Sequence, residues 1–228
     1  RLLDRNDPYR QQAEAWLPVV SGYDADMVRL GLTGFFKTFR AAQLRRFVAE
    51  DFANPAVLDG FQPAPKGGAV RAFGPDLLMH SWAGNVPALS LWSLVCGLLV
   101  KAPAIGKLAS AEPLFAGWFA RLLAEVHPPL ADCLAVVWWS GAGGVDGADG
   151  ADGVDGGGAA ALHAEADTVL AYGGNQTLQA LRQRLPVTTR FLPHGHKLGF
   201  GMVGAHALDT LKAPAVARLA AWDVMRYD

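Results

Sequence analysis

Apolar and polar residues alternate along this chain in two rhythms. From Ala25 to Phe52, Met27, Leu30, Leu32, Phe35, Phe36, Phe39, Leu44 and Phe47 recur at helical spacing with Arg and Lys between them. That spacing predicts two amphipathic helices within a helical N-terminal segment, residues 1–60, whose expected role is packing or capping. Residues 61–75 have Pro, Gly and Lys in place of a period, and read as a linker or exposed hairpin ending near Gly74. After it, short apolar runs alternate with amphipathic ones. Strands are expected at Leu77–Trp82, Ala104–Leu108, Leu134–Trp139, Thr168–Tyr172, Arg190–Leu192 and Leu198–Val203. Helices are expected at Pro87–Lys101, Glu112–Val126, Ala159–Ala166, Asn175–Arg184 and Ala213–Tyr227. Strands alternating with helices of roughly 10–15 residues imply right-handed βαβ units. The expected fold is therefore α/β, a parallel Rossmann-like sheet with helices on both faces over residues 76–228.

Composition narrows the function classes. Half the residues are apolar (51%) and the formal net charge is −1, so the chain has the core of a globular protein and none of the basic excess that marks a nucleic-acid binder. Its two cysteines, Cys96 and Cys133, form no disulfide framework and no CxxC pair, which suits a reducing compartment such as the cytoplasm. The most apolar stretch, Val86–Val100, falls short of the ~20 residues of a membrane span. The opening Arg-Leu-Leu-Asp-Arg lacks the apolar core of a signal peptide and reads as a cut inside a longer chain. Between Gly141 and Gly158 lies a run of Asp-Gly units without the order of a calcium loop, expected as a disordered insertion over 144–158.

In a parallel sheet, ligands bind beyond the carboxyl ends of the strands. Three candidate features stand there. The first is the turn Gly84-Asn85-Val86-Pro87, where Pro87 suits the first position of a helix whose free N–H groups face the strand end. The second is Lys107, with Ser110 before the next helix. The third is Tyr172-Gly173-Gly174-Asn175, where paired glycines leave room for a pyrophosphate near N–H donors. Ser81 and Trp82 close the first strand, and Gly141 follows the third, completing a candidate nucleotide cradle. The chain has neither GxGxxG in the first βα turn nor GxxxxGK[ST]. Cys96, among Leu94, Val95, Leu98 and Leu99, and Cys133 at a helix-to-strand joint read as structural. His194-Gly-His196 reads as a turn without metal, and His80 as a satisfied strand histidine.

The series Ala83-Gly-Asn-Val-Pro87, Lys107-Leu-Ala-Ser-Ala-Glu-Pro113, Ala171-Tyr-Gly-Gly-Asn175 and Gly195-His-Lys197 resembles the cofactor-binding half of the aldehyde dehydrogenase superfamily. It is most similar to the long-chain acyl-CoA reductases of bacterial bioluminescence, from about Ala25 to the end. The resemblance implies that Asn85 donates its amide to the oxyanion formed when a thiolate adds to a carbonyl. It implies that Lys107 holds the adenosine ribose, that Gly173, Gly174 and Thr177 line the pyrophosphate, and that Ser110 stands where NAD-preferring relatives often place a glutamate, which favours NADP.

Two departures accompany those matches. Hydrolytic relatives carry a water-activating glutamate where this chain has Pro193, an arrangement that would keep an acyl thioester for hydride. The family's nucleophilic cysteine follows the helix ending at Trp222–Asp228 by a few residues, so it would lie outside the chain. The expected protein is thus the cofactor-binding fragment of an NADPH-dependent acyl-CoA reductase acting on an acyl-CoA or acyl-protein thioester. The resemblance further implies acyl-transferring or acyl-activating partner proteins and leaves room for an oligomer. The alternatives are a noncatalytic nucleotide-binding module and an acyl-phosphate reductase of the same superfamily.

Overall fold

The computed structural model describes residues 1–86, 88–139, 156–197 and 199–225. Helix α1 (Pro8–Ser21) begins where the Asp7 carboxylate accepts from the Tyr9 N–H, with Pro8 in the first turn. It runs through an internal Pro18 and stops at Gly22, whose φ of 74° is left-handed. Helix α2 (Ala25–Lys37), capped by Asp24, buries Val28, Leu32 and Phe36, while Leu30 is exposed. The fully buried Arg10 guanidinium joins α1 to α2 by donating to the carbonyls of Leu2 and Arg29 and to Thr33 Oγ1. Helix α3 (Ala41–Asp51) and a 3-10 turn at Pro55–Leu58 lead to a small antiparallel hairpin, β1 (Gln62–Pro63) and β2 (Ala69–Val70). Of the two expectations for residues 61–75, the structure has the hairpin.

The α/β part follows in chain order as β3 (Leu78–Ser81), α4 (Leu89–Leu99), β4 (Ala104–Lys107), α5 (Phe115–Val126), α6 (Pro128–Ala131), β5 (Leu134–Val137), α7 (Gly156–Glu165), β6 (Thr168–Tyr172), α8 (Asn175–Arg184), β7 (Arg190–His194) and α9 (Ala213–Met225). The strands form a parallel sheet in the order β5-β4-β3-β6-β7. The chain winds outward from β3 to β5, then returns to the other side of β3 to lay down β6 and β7. The direction therefore reverses beside β3, the kind of switch point outside whose strand carboxyl ends open α/β sheets bind ligands.

Each sheet face is covered. Trp82, Leu91, Leu94, Ala104, Leu108 and Phe115 form one core, joined by Leu17, Leu32 and Phe36 from α1 and α2. On the other face, Met79, Ala166, Val169 and Leu185 pack with Trp139, Leu181 and Phe191.

Several boundaries move. Helix α5 starts three residues after the expected Glu112, because Pro113 intervenes and the Glu112 side chain caps the helix from outside. The strand expected at Leu198–Val203 does not form over 199–203, and Leu198 lies outside the described residues. The Asp-Gly run is outside them too, except that its last glycines, 156–158, belong to α7. Among the described residues, no helix is long and apolar enough to cross a membrane.

Candidate functional site

Strand register aligns the site. Ser81 lies opposite both Lys107 and Ala171, Lys107 opposite Val137, and Tyr172 opposite His194, so the residues closing each strand form a row at the carboxyl edge. Alternation along a strand places Lys107 on the α8 face, together with Trp139. The Lys107 ammonium stands 5.8 Å from the Trp139 ring centroid, and burial pushes its pKa down. Among the described residues no carboxylate pairs with it. A half-buried cation held over an indole, with no counter-charge, is arranged to receive oxygen ligands.

At the end of β6, α8 begins at Asn175 with Gly174 as its N-cap and no side chain satisfying its first N–H groups. A Cβ on Gly174 would meet only His196 Nε2, at 3.5 Å, and one on Gly173 only Thr177, at 3.7 Å. The protein's own packing thus tolerates a side chain at both positions. Bare glycines there leave space that a pyrophosphate would fill, beside unsatisfied N–H donors at a helix N-terminus. Gly195 differs: its Cβ would sit 2.8 Å from Asn175 Oδ1, so that glycine serves the packing of β7 against α8. Tyr172 and His194 stack on the opposite face, with centroids 4.7 Å apart and planes at 19°.

The turn after β3 carries Asn85, which is exposed and whose carbonyl oxygen accepts from the Tyr23 hydroxyl at 2.7 Å. Pro87 lies outside the described residues, and the described helix starts at Leu89. Its N-cap, Ala88, has φ 65° and provides no side-chain cap. That left-handed backbone costs a non-glycine roughly 1–2 kcal/mol, strain stored at the end of the turn that carries Asn85. Gly84 fits because the next turn touches it: a Cβ there would lie 2.7 Å from the Ala111 Cβ and 2.8 Å from the Glu112 nitrogen.

Other expected site residues fall differently. Trp82 is buried, with its ring against Gly106 of β4 and its Nε1–H donating to Ser93 Oγ at 2.9 Å. The indole belongs to the core, and only the Trp82 backbone faces the carboxyl edge. Ser81 is half-buried there, Ser110 is exposed, Thr177 is exposed one turn into α8, and Gly141 lies outside the described residues. His80 is buried as expected but not satisfied: both ring nitrogens lack a partner among the described residues, and burial lowers its pKa to about 4. Cys96 is half-buried on α4, with its thiol pKa raised first by burial. Cys133 is exposed next to the amino end of β5, at the edge opposite the site. Among the described residues no cluster of His, Cys, Asp or Glu could hold a metal ion.

A groove of about 500 Å³ lies between α8 and β7, lined by Asn175, Leu178, Arg182, Phe191, Pro193 and Gly195. Strand β7 contains no carboxylate, and Pro193 stands on its groove side. Sequence reasoning missed Tyr23, Trp139 and the buried Glu112. Trp139 was visible as an apolar residue two positions beyond Val137 on the lysine's face, whereas Tyr23 and Glu112 act through contacts that no local period encodes.

The parallel sheet, its reversal beside β3 and the furnished carboxyl edge define a Rossmann-like α/β domain. PutA of Anabaena variabilis, assigned as an aldehyde dehydrogenase, superposes with a TM-score of 0.56 at 18% identity, covering 81% of this chain and 35% of that one. An NAD-dependent benzaldehyde dehydrogenase from Corynebacterium glutamicum does so with 0.51 at 17% identity, covering 86% and 38%. At these identities the likeness is one of fold. The model of the acyl-CoA reductase (LuxC) family matches residues 3–228, and the chain belongs to that family. Long-chain acyl-protein thioester reductases are similar: that of Photorhabdus luminescens is 26% identical over 79% of this chain and 35% of its own length, and that of Vibrio harveyi 28% identical over 70% and 31%. The chain therefore spans about a third of the length of these curated relatives. The family and fold read from the strand-end motifs are borne out.

Proposed function

We propose that this chain is the dinucleotide-binding portion of an NADPH-dependent reductase that converts a fatty acyl thioester to an aldehyde through an acyl-cysteine. The observation that carries the reading is Lys107, a half-buried cation over Trp139 with no carboxylate partner among the described residues, in line with bare glycines at an uncapped helix N-terminus. A reduced nicotinamide dinucleotide, when bound, supplies hydride. The Lys107 ammonium donates to ribose or phosphate oxygens, and the first N–H groups of α8, with Gly173, Gly174 and Thr177 around them, donate to the pyrophosphate. Ser110, exposed and uncharged, leaves a 2′-phosphate unopposed, whereas a carboxylate there would repel it.

At the other end, the Asn85 amide donates to the carbonyl oxygen as it gains charge, a contribution of about 3 kcal/mol for a single such donor in other enzymes. Neither described cysteine stands at the carboxyl edge, so we place the nucleophilic thiol in the part of the family's polypeptide beyond this third. With proline at position 193 and no carboxylate on β7, no carboxylate base on that strand activates water, and the acyl thioester persists until hydride reaches its carbon and the thiolate leaves. The thioester donor would be an acyl-CoA or an acylated protein, the latter suggested by the substrate in the relatives' names.

Titration with NADPH and NADH, read by energy transfer from the seven tryptophans to the nicotinamide, tests the cradle. Saturable binding that favours NADPH and weakens about tenfold or more in Lys107→Ala is expected. Binding that ignores the lysine, or the absence of binding, would sink the assignment.

A further inference from the structure

Glu112 has no part in the chemistry above, yet it is a carboxylate only 5% exposed, and burial raises its pKa. Its Oε1 accepts from the backbone N–H of Leu114 at 3.0 Å and of Phe115 at 2.8 Å, the first donors of α5. It reaches them from outside the helix, across Pro113, so the segment Ser110-Ala111-Glu112 is drawn into a turn against the helix end. That segment begins three residues after Lys107 and contains Ser110. Gly84 packs on the same segment, so closely that a Cβ would lie 2.8 Å from the Glu112 nitrogen and 3.0 Å from the Ala111 carbonyl carbon. The neighbour of Gly84 is Asn85.

We infer that Glu112 is a positioning residue that fixes two functional turns at once: the Lys107–Ser110 turn, by capping α5, and the Gly84–Asn85 turn, which docks on the capped segment. The inference rests on the cofactor reading only for what the turns do, not for how they are held. The acceptor oxygen sets its chemistry. Glutamine retains one at the same reach, and aspartate makes the same pair of bonds elsewhere in the protein, where Asp24 accepts from the N–H groups of Asp26 and Met27; alanine has none. A carboxylate at this helix end also answers the α5 dipole from within the protein, in contrast to the starts of α4 and α8, where the N-cap residue supplies no side-chain cap.

The test compares Glu112→Gln, Glu112→Asp and Glu112→Ala by two measurements below the melting temperature of each variant. In amide NMR spectra of the chain, Ala is expected to shift the Gly84 and Asn85 resonances, including the Asn85 side-chain amide, while Gln and Asp, which keep an acceptor, leave them near their native positions. In nucleotide titration, Ala should weaken NADPH by about tenfold or more and reduce the NADPH-to-NADH preference, with Gln and Asp within about twofold of the native chain, since small misplacements of a binding group cost large factors. A cap with only a stability role would lower the melting temperature and leave both the resonances and the preference unchanged, which would overturn the inference. Failure of the native chain to bind either nucleotide would overturn the cofactor reading instead, with the resonances still deciding the role of Glu112.

Discussion

The Tyr23 hydroxyl, between α1 and α2, donates to the main-chain carbonyl of Asn85 at 2.7 Å, across 62 residues of sequence. The N-terminal segment thus does more than pack against the sheet, because a side chain from the connection between its first two helices holds the turn that bears Asn85, the proposed oxyanion donor. Tyr23→Phe keeps the ring and removes this single bond. A stability loss of about 1 kcal/mol or less is expected by thermal melting, the usual net worth of one hydrogen bond. In the reductase assay of the complete enzyme, kcat should fall while KM for the thioester holds, because the interaction acts on the transition state through Asn85. Equal changes in both would remove Tyr23 from that role.

Removing Lys107 separates function from stability. A half-buried ammonium without a carboxylate partner is held at a cost, so Lys107→Met should leave the melting temperature unchanged or raised while NADPH affinity falls. Loss of both together would show that the lysine is structural. Gly174→Ala is a companion: its Cβ meets nothing closer than 3.5 Å, so folding should be preserved and nucleotide binding weakened.

Ser110→Glu tests the preference by charge. The introduced carboxylate would oppose a 2′-phosphate and leave a 2′-hydroxyl a hydrogen-bond acceptor, so NADPH should weaken much more than NADH. Equal weakening of the two nucleotides, measured by the same titration, would remove Ser110 from contact with the 2′ position.

The packing of Trp82 makes a demand on β4. A Cβ on Gly106 would fall 1.9 Å from the Trp82 ring, so Gly106→Ala must displace the indole and break its bond to Ser93. Overpacking together with a lost buried hydrogen bond predicts destabilisation of about 3 kcal/mol by denaturant unfolding. A change below about 1 kcal/mol would mean that the ring has another place to go.

What could be read from the sequence divides along the same line. Helix α8 and strand β6 fall where the pattern puts them, at Asn175–Arg184 and Thr168–Tyr172, because period and boundary residues agree there. The strand-end motifs also put Lys107 and the Gly173-Gly174 turn at the carboxyl edge where the structure has them, since both belong to a local strand-to-helix grammar. Helix α1 was less legible: Pro18 interrupts it, and what sustains it is the Asp7 cap and the buried Arg10 network with α2. The last expected strand does not form over 199–203 although β7 has a free edge among the described residues: Phe200, Met202 and Val203 lie exposed, and an apolar run that packs on nothing is not held as a strand by its pattern alone. Trp82 looked like a site residue because it ends a strand. Only the register of β3 on β4, which sets Gly106 beneath the ring, assigns it to the core.

His80 supplies the last prediction. Its ring is fully buried, stacked on Trp82 with centroids 5.6 Å apart, and close to Gly97 of α4, with neither nitrogen partnered among the described residues. Burial lowers its pKa from 6.5 to about 4, since a charged imidazole there would lose its hydration with nothing in return. In the unfolded chain the same group titrates near 6.5. Between those values the unfolded state binds more protons than the folded one, so the contribution of His80 is fully present above about pH 6.5 and is lost progressively toward pH 4. The loss amounts to ~3 kcal/mol by pH 4. His80→Leu removes the titrating group and two unpaired nitrogens, so the variant should match or exceed the native chain in stability at pH 7. Urea unfolding of both proteins at several pH values isolates the effect, because the carboxylates titrate in each. The difference in stability between Leu and His should grow as the pH falls from 6.5 to 4, and parallel curves would mean that the folded protein admits the proton at His80 after all.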